Sequence, residues 1–192
     1  MLLFSPDLTL DFKIAFSNGN CELLVAECSQ LNASICVLYR PPMPNFSLAK
    51  FKEVMEMLKN YLKVLQEVNP SSKIILAGDF NFPPRVVEWI KTDDGIFADT
   101  QEGVTDEKEG FKILYDLANA VNLEQLVDAP TRDNNILDLV FSNCAEHFSD
   151  CRIKSISPVS DHNLVSFSLT EMRNIGQYRT GDSTSRRLNI QL

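Results

Sequence analysis

A long amphipathic helix between two apolar strand segments constrains the fold of this chain more than any other feature of its sequence. The helix is predicted to begin at Ser47 and to run to about Val68, because apolar residues recur at helical spacing along one stripe and charged residues fill the rest. The segment SICVLY (34–39) precedes it and KIILAG (73–78) follows it, and both are typical of buried strands. A helix with one apolar face packs on a sheet, so this unit predicts a layered fold.

Further strands and a second helix surround this unit. The additional strands are predicted at 8–16, 22–28, 123–127, 136–141, 152–156 and 163–169, and the helix at 109–120. Residues 80–108 contain Pro83, Pro84 and an Asp93-Asp94-Gly95 cluster, which predict a polar and irregular stretch. Strands and helices in this mixed order predict an α/β (α+β) sandwich.

The composition is that of a globular chain. Hydrophobic residues make up 44% and charged residues 23% of the 192 residues, so a core can form, and we expect one domain over 1–170. Residues 171–192 are polar and are predicted to be a tail or linker. Neither a basic leader nor a membrane-spanning apolar stretch is present, so we expect an intracellular protein of the nucleus or cytoplasm that is not secreted. Five cysteines without a CxxC pair are expected to be reduced thiols.

The net charge argues against strong binding to nucleic acid. The formal charge is −8 and the pI is about 4.8, whereas lysine and arginine contacts to phosphate supply most non-specific affinity for DNA. Carboxylates that hold a divalent cation account for only a few of these negative charges. The composition alone therefore disfavours DNA as a partner.

The string GDFNFP (78–83) carries the strongest chemical signal. It directly follows a buried strand, and on an extended backbone residues i and i+2 point to the same side, so Asp79 and Asn81 are predicted to project together. One residue supplies a carboxylate and the other an amide donor. The alternative is a loop with an Asx turn and no chemical role.

A second signal pairs an acid inside an apolar strand with one of the two histidines. Asp138 lies in the segment ILDLVF (136–141), where an unpaired carboxylate is costly, and His162 follows Ser160-Asp161 just before another apolar strand. Asp138 is therefore predicted to orient His162 and to lie within about 6 Å of its ring. The alternatives are an ion pair between Asp138 and Arg132, an outward-facing acid, and a histidine without a role.

Four motifs in this order resemble one known superfamily. YRPP (39–42), GDFNFP (78–83), PTRDNNILDLVFSN (130–143) and SDHNLVSF (160–167) are similar to the endonuclease/exonuclease/phosphatase superfamily, and most to the endonuclease domain of non-LTR (LINE-type) retrotransposons. The resemblance implies a four-layered α/β sandwich of the deoxyribonuclease I-like type. It also implies a DNA endonuclease that uses Mg²⁺ (or Mn²⁺), with DNA as partner and a reverse transcriptase domain in a longer parent protein.

The resemblance also implies roles for five catalytic residues. Asp79 would orient or deprotonate the attacking water, and Asn81 would contact the scissile phosphate. Asp138 would orient His162, which would bind or protonate a phosphate oxygen. Asp161 would hold or position the metal. All five are expected to converge in one pocket at the ends of strands.

Further roles follow from the same resemblance. Tyr39 matches a tyrosine whose hydroxyl contacts the phosphate, and it is expected to border the pocket. Thr131 and Asn135 are predicted to line the substrate groove. Asp161 and Asp79 are the residues expected to bind the metal, more weakly than in a complete site.

The chain departs from the family pattern at its amino-terminal side. The family begins with a strand that bears an asparagine and a second that ends in a glutamate, the main metal ligand, and neither precedes YRPP here. Glu22 and Glu27 do not lie in that glutamate motif, so no metal role is transferred to them. We therefore expect an amino-terminally truncated domain with impaired activity. A non-catalytic remnant is the alternative, and a phosphoinositide phosphatase is a weaker one because basic residues near the motifs are few.

Overall fold

The computed structural model describes residues 2–3, 8–102, 105–169 and 186–190, which form two sheets, a separate hairpin and two helices. The helices are α1 (Leu48–Val68) and α2 (Asp106–Ala120). In chain order the strands are β1 (Leu2–Leu3), β2 (Asp11–Ser17), β3 (Glu22–Cys28), β4 (Ala33–Tyr39), β5 (Lys73–Asp79), β6 (Val87–Thr92), β7 (Gly95–Thr100), β8 (Glu124–Gln125), β9 (Asp138–Ser142), β10 (Phe148–Ser155), β11 (Asn163–Leu169) and β12 (Arg186–Ile190).

Helix α1 has the boundaries and the apolar face that its sequence predicts. Ser47 caps the helix and its side chain accepts a hydrogen bond from the Lys50 backbone N–H. The predicted stripe is fully buried and consists of Phe51, Val54, Met55, Leu58, Leu62 and Leu65. Among the described residues, no helix combines the length and the apolar character that crossing a membrane requires.

Helix α2 begins three residues earlier than predicted. Thr105 caps it by accepting a hydrogen bond from the Lys108 backbone N–H at 3.2 Å. Acidic side chains fill the first turn, where they interact favourably with the helix dipole. The Thr105 cap and the acidic first turn therefore start the helix several residues before Phe111, its first apolar residue.

The larger sheet has six strands in the order β2-β3-β4-β5-β9-β8. Strands β4 and β5 are parallel and are joined by α1, whereas the other neighbours in this sheet are antiparallel. A parallel pair brings the carboxyl ends of its strands to one edge, so Tyr39 and Asp79 end on the same side of the molecule.

The described residues form three layers. Helices α1 and α2 pack on one face of the six-stranded sheet, and the second sheet, of order β1-β12-β11-β10, packs on the other. Ile35 and Ile75 of the larger sheet contact this second layer, to which Val165 and Phe167 contribute. Burial on both faces explains why the sequences of β4, β5 and β9 are continuously apolar, rather than alternating between apolar and polar residues.

The prediction of an irregular stretch over 80–108 is wrong for its second half. Strands β6 and β7 form a two-stranded hairpin in full register from Val87↔Thr100 to Thr92↔Gly95. The turn cluster that suggested irregular structure closes this hairpin, with Gly95 at a φ of 136°. Trp89 anchors it to the core through edge contacts with Phe111 and Phe141.

The sequence predicts no strand in 171–192, yet β12 lies there. It pairs antiparallel with β11 from Val165↔Ile190 to Leu169↔Arg186. Such pairing satisfies the backbone groups along an edge of β11 that would otherwise be open. The other residues of this segment lie outside the described part of the chain, and its division from the domain as a tail or linker stays a prediction.

Substituting Gly78 in β5 is expected to prevent normal folding. A Cβ built there would lie 1.7 Å from the Leu38 carbonyl oxygen of β4, a distance at which one backbone must move. We expect Gly78→Ala to cost more than about 4 kcal/mol or to yield insoluble protein. Gly19→Ala is the control, because a Cβ there would meet only the flexible Lys50 side chain at 4.0 Å and the positive φ of 71° should cost about 1 kcal/mol. Urea unfolding curves that show equal losses for the two variants would contradict the prediction.

Candidate active site

Two strand ends of the larger sheet and one of the smaller sheet meet at a cluster of acids and imidazole. Asp79 ends β5, and Asp138, its register partner, opens the antiparallel neighbour β9. His162 directly precedes β11 of the other sheet. One ligand atom of each of these three residues lies within 4.8 Å of the other two. We call Asp79, Asp138 and His162 the central cluster.

A hydrogen bond between Asp138 and His162 links the two sheets. The Nδ1 atom of His162 lies 2.8 Å from Oδ2 of the fully buried Asp138, so the predicted contact is confirmed. Because a carboxylate accepts, Nδ1 carries a proton in this bond, and Nε2 is the ring nitrogen that the bond leaves unengaged. Nε2 points to Asp79, whose Oδ2 lies 4.0 Å away. The cluster thus contains an oriented imidazole that faces a second carboxylate.

Thr131 holds the backbone at the start of β9. Its side-chain oxygen accepts hydrogen bonds from the backbone N–H groups of Leu137 and Asp138 at 3.1 and 3.0 Å. Its own backbone N–H bonds to the Asn135 carbonyl, which closes a tight turn. Thr131 is fully buried, so its side chain contacts protein backbone in this structure. Asn135 is half-buried, and the substrate-binding role of both residues stays a prediction.

The Asp79–Asn81 segment combines both sequence interpretations of GDFN. Asn81 has a positive φ of 50°, and its backbone N–H donates to Asp79 Oδ1 at 3.2 Å, which is an Asx turn. The other carboxylate oxygen of Asp79 still faces His162. The Asn81 side chain is buried and its Nδ2 donates to the Arg40 carbonyl at 2.8 Å. The turn therefore aims Asp79 into the cluster, while one N–H of the Asn81 amide is already engaged.

Tyr39 lies at the same edge and borders Asp79. Burial, followed by the negative charges of Asp79 and then Glu22, raises the pKa of the Tyr39 hydroxyl. The side chain is nevertheless partly exposed at the end of β4. Tyr39 is therefore close enough to Asp79 to sense its charge, and its contact with a phosphate stays a prediction.

Asp161 precedes His162 in the chain but is not one of the three residues of the central cluster. Its carboxylate is 68% exposed and forms an ion pair with Arg132 at 2.7 Å. The alternative that Arg132 pairs with Asp138 is wrong, because the arginine pairs with Asp161 instead. Contacts link Asp79 to Asn81 and to His162, and His162 to Asp138, whereas the convergence of all five predicted catalytic residues in one pocket stays a prediction.

Two neighbouring carboxylates make ionisation of the site costly. Burial raises the pKa of Asp79 to about 6, and the charge of Asp138 adds to this effect. The charge of His162 and hydrogen bonds from Asn81 act in the opposite direction. An ionised Asp79 therefore lowers the free energy of unfolding at neutral pH.

The donor set of the central cluster fits a divalent cation. Asp138 Oδ1 is buried, and no described residue donates a hydrogen bond to it. A cation would satisfy this oxygen and offset the repulsion between the two carboxylates. Asp79 is one of these possible ligands, as the sequence predicts. Asp161 belongs to no such group of ligands among the described residues, and its metal-binding role stays a prediction.

Sequence reasoning missed Arg40 and Glu107. Both are buried, and the guanidinium Nη2 of Arg40 lies 3.1 Å from Glu107 Oε1. Arg40 could have been noticed because it lies between an apolar strand and two prolines. The prolines end the regular strand at this point, so the arginine side chain need not follow the strand's alternation. Nothing in the sequence marks Glu107 among the neighbouring acids of its helical turn.

Comparison with known proteins is consistent with this geometry. The sequence model of a family described as endonuclease-reverse transcriptase matches residues 33–166, which is more than half of the chain. The matched range begins with β4 and contains all three residues of the central cluster. No curated protein matches the chain.

Removing the charge of Asp79 is expected to stabilise the metal-free protein at neutral pH. The folded-state pKa lies above the ordinary value of 3.8, so the folded state binds more protons and stability falls as pH rises from about 4 to 6. One pKa unit corresponds to about 1.4 kcal/mol, and we expect Asp79→Asn to gain roughly 1–3 kcal/mol at pH 7.5 in EDTA. At pH 4 the gain should largely vanish.

Asp116→Asn, at an exposed position of α2, is the matched control and should change stability little at either pH. Urea unfolding at both pH values measures the effect. Equal stability of wild type and Asp79→Asn at pH 7.5 would show that ionised Asp79 carries no such cost.

Proposed function

Because the chain belongs to the endonuclease-reverse transcriptase family, we propose that it is a metal-dependent phosphodiesterase that cuts DNA, of the retrotransposon endonuclease type. The observation that carries this proposal is the central cluster, in which the Asp138–His162 hydrogen bond leaves Nε2 directed at Asp79. This arrangement offers a carboxylate base and an oriented imidazole within one site, as hydrolysis of a phosphodiester requires.

In the proposed reaction, water attacks phosphorus in line with the leaving oxygen. Asp79 would orient this water and accept its proton. Doubly protonated His162 would donate a hydrogen bond or its Nε2 proton to a phosphate oxygen, and Asp138 would hold the orientation of the ring through Nδ1. Asn81 would contact the scissile phosphate with its side-chain amide, one N–H of which donates to the Arg40 carbonyl, and Tyr39 would donate its hydroxyl from the rim.

We propose Mg²⁺ (or Mn²⁺) as the cofactor, held by Asp79 and by the unpartnered oxygen of Asp138. A bound cation would offset the negative charge that develops on the phosphate. The metal role of Asp161 would require its carboxylate to leave Arg132, since the two form an ion pair in the structure. Thr131 would act through the backbone of Asp138, and Asn135 from the turn that it closes.

The wider context of this proposal follows the family. The three described layers would belong to a four-layered sandwich of the deoxyribonuclease I-like type, in a protein of the nucleus or cytoplasm whose parent also carries reverse transcriptase. With a formal charge of −8, the chain would hold DNA weakly, because few lysine and arginine contacts to phosphate would act against the repulsion of its net charge. DNA contacts would then depend on the few cations near the site, such as Arg132.

We further propose that the activity of this 192-residue chain is impaired. Among the described residues only three side chains form a possible metal group, and one of them is a histidine whose Nδ1 is already bonded. A loosely held cation stabilises the transition state less, and each loss of about 1.4 kcal/mol slows the reaction tenfold. A non-catalytic remnant is the alternative. A phosphoinositide phosphatase is less well supported, because Arg85 and Arg132 near the motifs both pair with acids.

A plasmid-nicking assay with Mg²⁺ at low salt is expected to show slow or no cutting by the chain as given. The comparison protein carries, in addition, the first strands of a full-length relative, and it should nick DNA at least a hundredfold faster. In that protein, His162→Ala should abolish cutting because the oriented imidazole is lost. His147→Ala is the matched control, since His147 pairs with Glu146 outside the central cluster and should keep full activity.

The outcomes separate the two parts of the proposal. Comparable cutting by both proteins, abolished by His162→Ala, would contradict the impairment and leave the endonuclease assignment intact. No cutting by either protein, with Mg²⁺ or Mn²⁺, would contradict the endonuclease assignment itself.

A further inference from the structure

Arg40 is fully buried directly after β4 and lies against the segment that carries Asp79 and Asn81. Its Nη1 donates to the carbonyl oxygens of Phe80 and Asn81 at 3.0 and 2.9 Å. Its backbone N–H donates to the Asp79 carbonyl, and its own carbonyl accepts from the Asn81 side chain. One residue thus makes four hydrogen bonds to three consecutive residues of the site.

The guanidinium is itself held from three sides. Phe46 and Phe82 lie over the guanidinium, with ring centroids 4.0 and 4.3 Å from its central carbon. Glu107 of α2 binds Nη2 at 3.1 Å and also pairs with Arg85 at 2.8 Å. A planar cation fixed by two rings and a carboxylate has little freedom, so the carbonyl groups that it binds are fixed too.

We propose that Arg40 is a positioning residue for the central cluster. By fixing the carbonyls of Phe80 and Asn81, it maintains the left-handed turn at Asn81, and this turn holds Asp79 through the Asn81 N–H bond to Oδ1. Arg40 has no exposed surface and does not touch the substrate. Glu107 supports the same turn from α2, so a helix outside the motifs of the site contributes to its geometry.

The direct test is amide hydrogen exchange of the full chain, followed by NMR, in wild type and Arg40→Lys. A lysine keeps the buried charge but cannot bind two carbonyls and a carboxylate in one plane. We expect the Asn81 amide to exchange at least tenfold faster in Arg40→Lys, while the amide of Leu76 in the centre of β5 stays within threefold. Leu65→Ala, a core substitution at the far end of α1, serves as a control for general destabilisation and should leave the Asn81 and Leu76 rates in their wild-type ratio.

Glu107→Gln provides a second variant should Arg40→Lys fail to fold. It retains Arg40, and we expect the Asn81 amide to exchange at least threefold faster, again with Leu76 unchanged. Its matched control is Glu109→Gln, a half-buried position of the same helix that pairs with Lys52 rather than Arg40 and should have no effect on Asn81. An unchanged ratio of Asn81 to Leu76 exchange in the folded variants overturns the proposal.

Kinetics add a test that rests on the proposed function. In the protein extended with the strands of a relative, Arg40→Lys should lower kcat at least tenfold per folded molecule and change KM less than threefold, because Arg40 does not contact DNA. A larger change in KM than in kcat would overturn the positioning role. Absence of cutting by the unsubstituted extended protein contradicts the endonuclease assignment instead, and the exchange experiment still decides whether Arg40 fixes the turn.

Discussion

The buried carboxylate of Asp138 is the constraint on which the arrangement of this protein depends. It stands at the start of a strand that is covered on both faces, where an unpaired charge would be strongly destabilising. His162 satisfies one of its oxygens from the neighbouring sheet, and Thr131 fixes the backbone that carries it. The two sheets are therefore aligned by a polar contact as well as by their apolar faces. The same contact gives the histidine its tautomer, so the requirements of packing and of chemistry coincide at one bond.

A second polar centre, around Arg40, has a different character. Its charge is matched by Glu107 and enclosed by aromatic rings, and its hydrogen bonds go to backbone carbonyls rather than to other functional groups. The central cluster, by contrast, contains two acids in close proximity and a buried oxygen without a partner. The Arg40 centre has its charge paired and its carbonyl partners in place, although the Arg40 Nε is buried without a hydrogen-bond partner among the described residues, whereas the central cluster brings two like charges together. Because the Arg40 centre lies next to the central cluster, its hydrogen bonds can hold the carboxylates of Asp79 and Asp138 close together despite their mutual repulsion.

Sequence patterns predicted the parts of the fold that local forces determine. The stripe of α1, its Ser47 cap and the apolar strands β4, β5 and β9 follow directly from periodicity and burial. The Asp138–His162 contact was predictable because a carboxylate in an apolar strand needs a partner. The hairpin of β6 and β7 was not predicted, because its stability comes from Trp89 packing on residues distant in sequence. For the same reason, the pairing of Glu107 with Arg40, 67 residues apart, has no local signature.

The close approach of β4 and β5 at Gly78 has a consequence for how such a domain changes over time. The Leu38 carbonyl occupies the space that any side chain at position 78 would need, so this position can hold only glycine while the fold lasts. The next residue, Asp79, is governed by the opposite rule, since the fold has no need of its charge. Positions 78 and 79 are therefore constrained for different reasons, the first by folding and the second by function. A lineage that had given up cutting but kept a folded domain would continue to eliminate changes at position 78, while changes at position 79 accumulated freely.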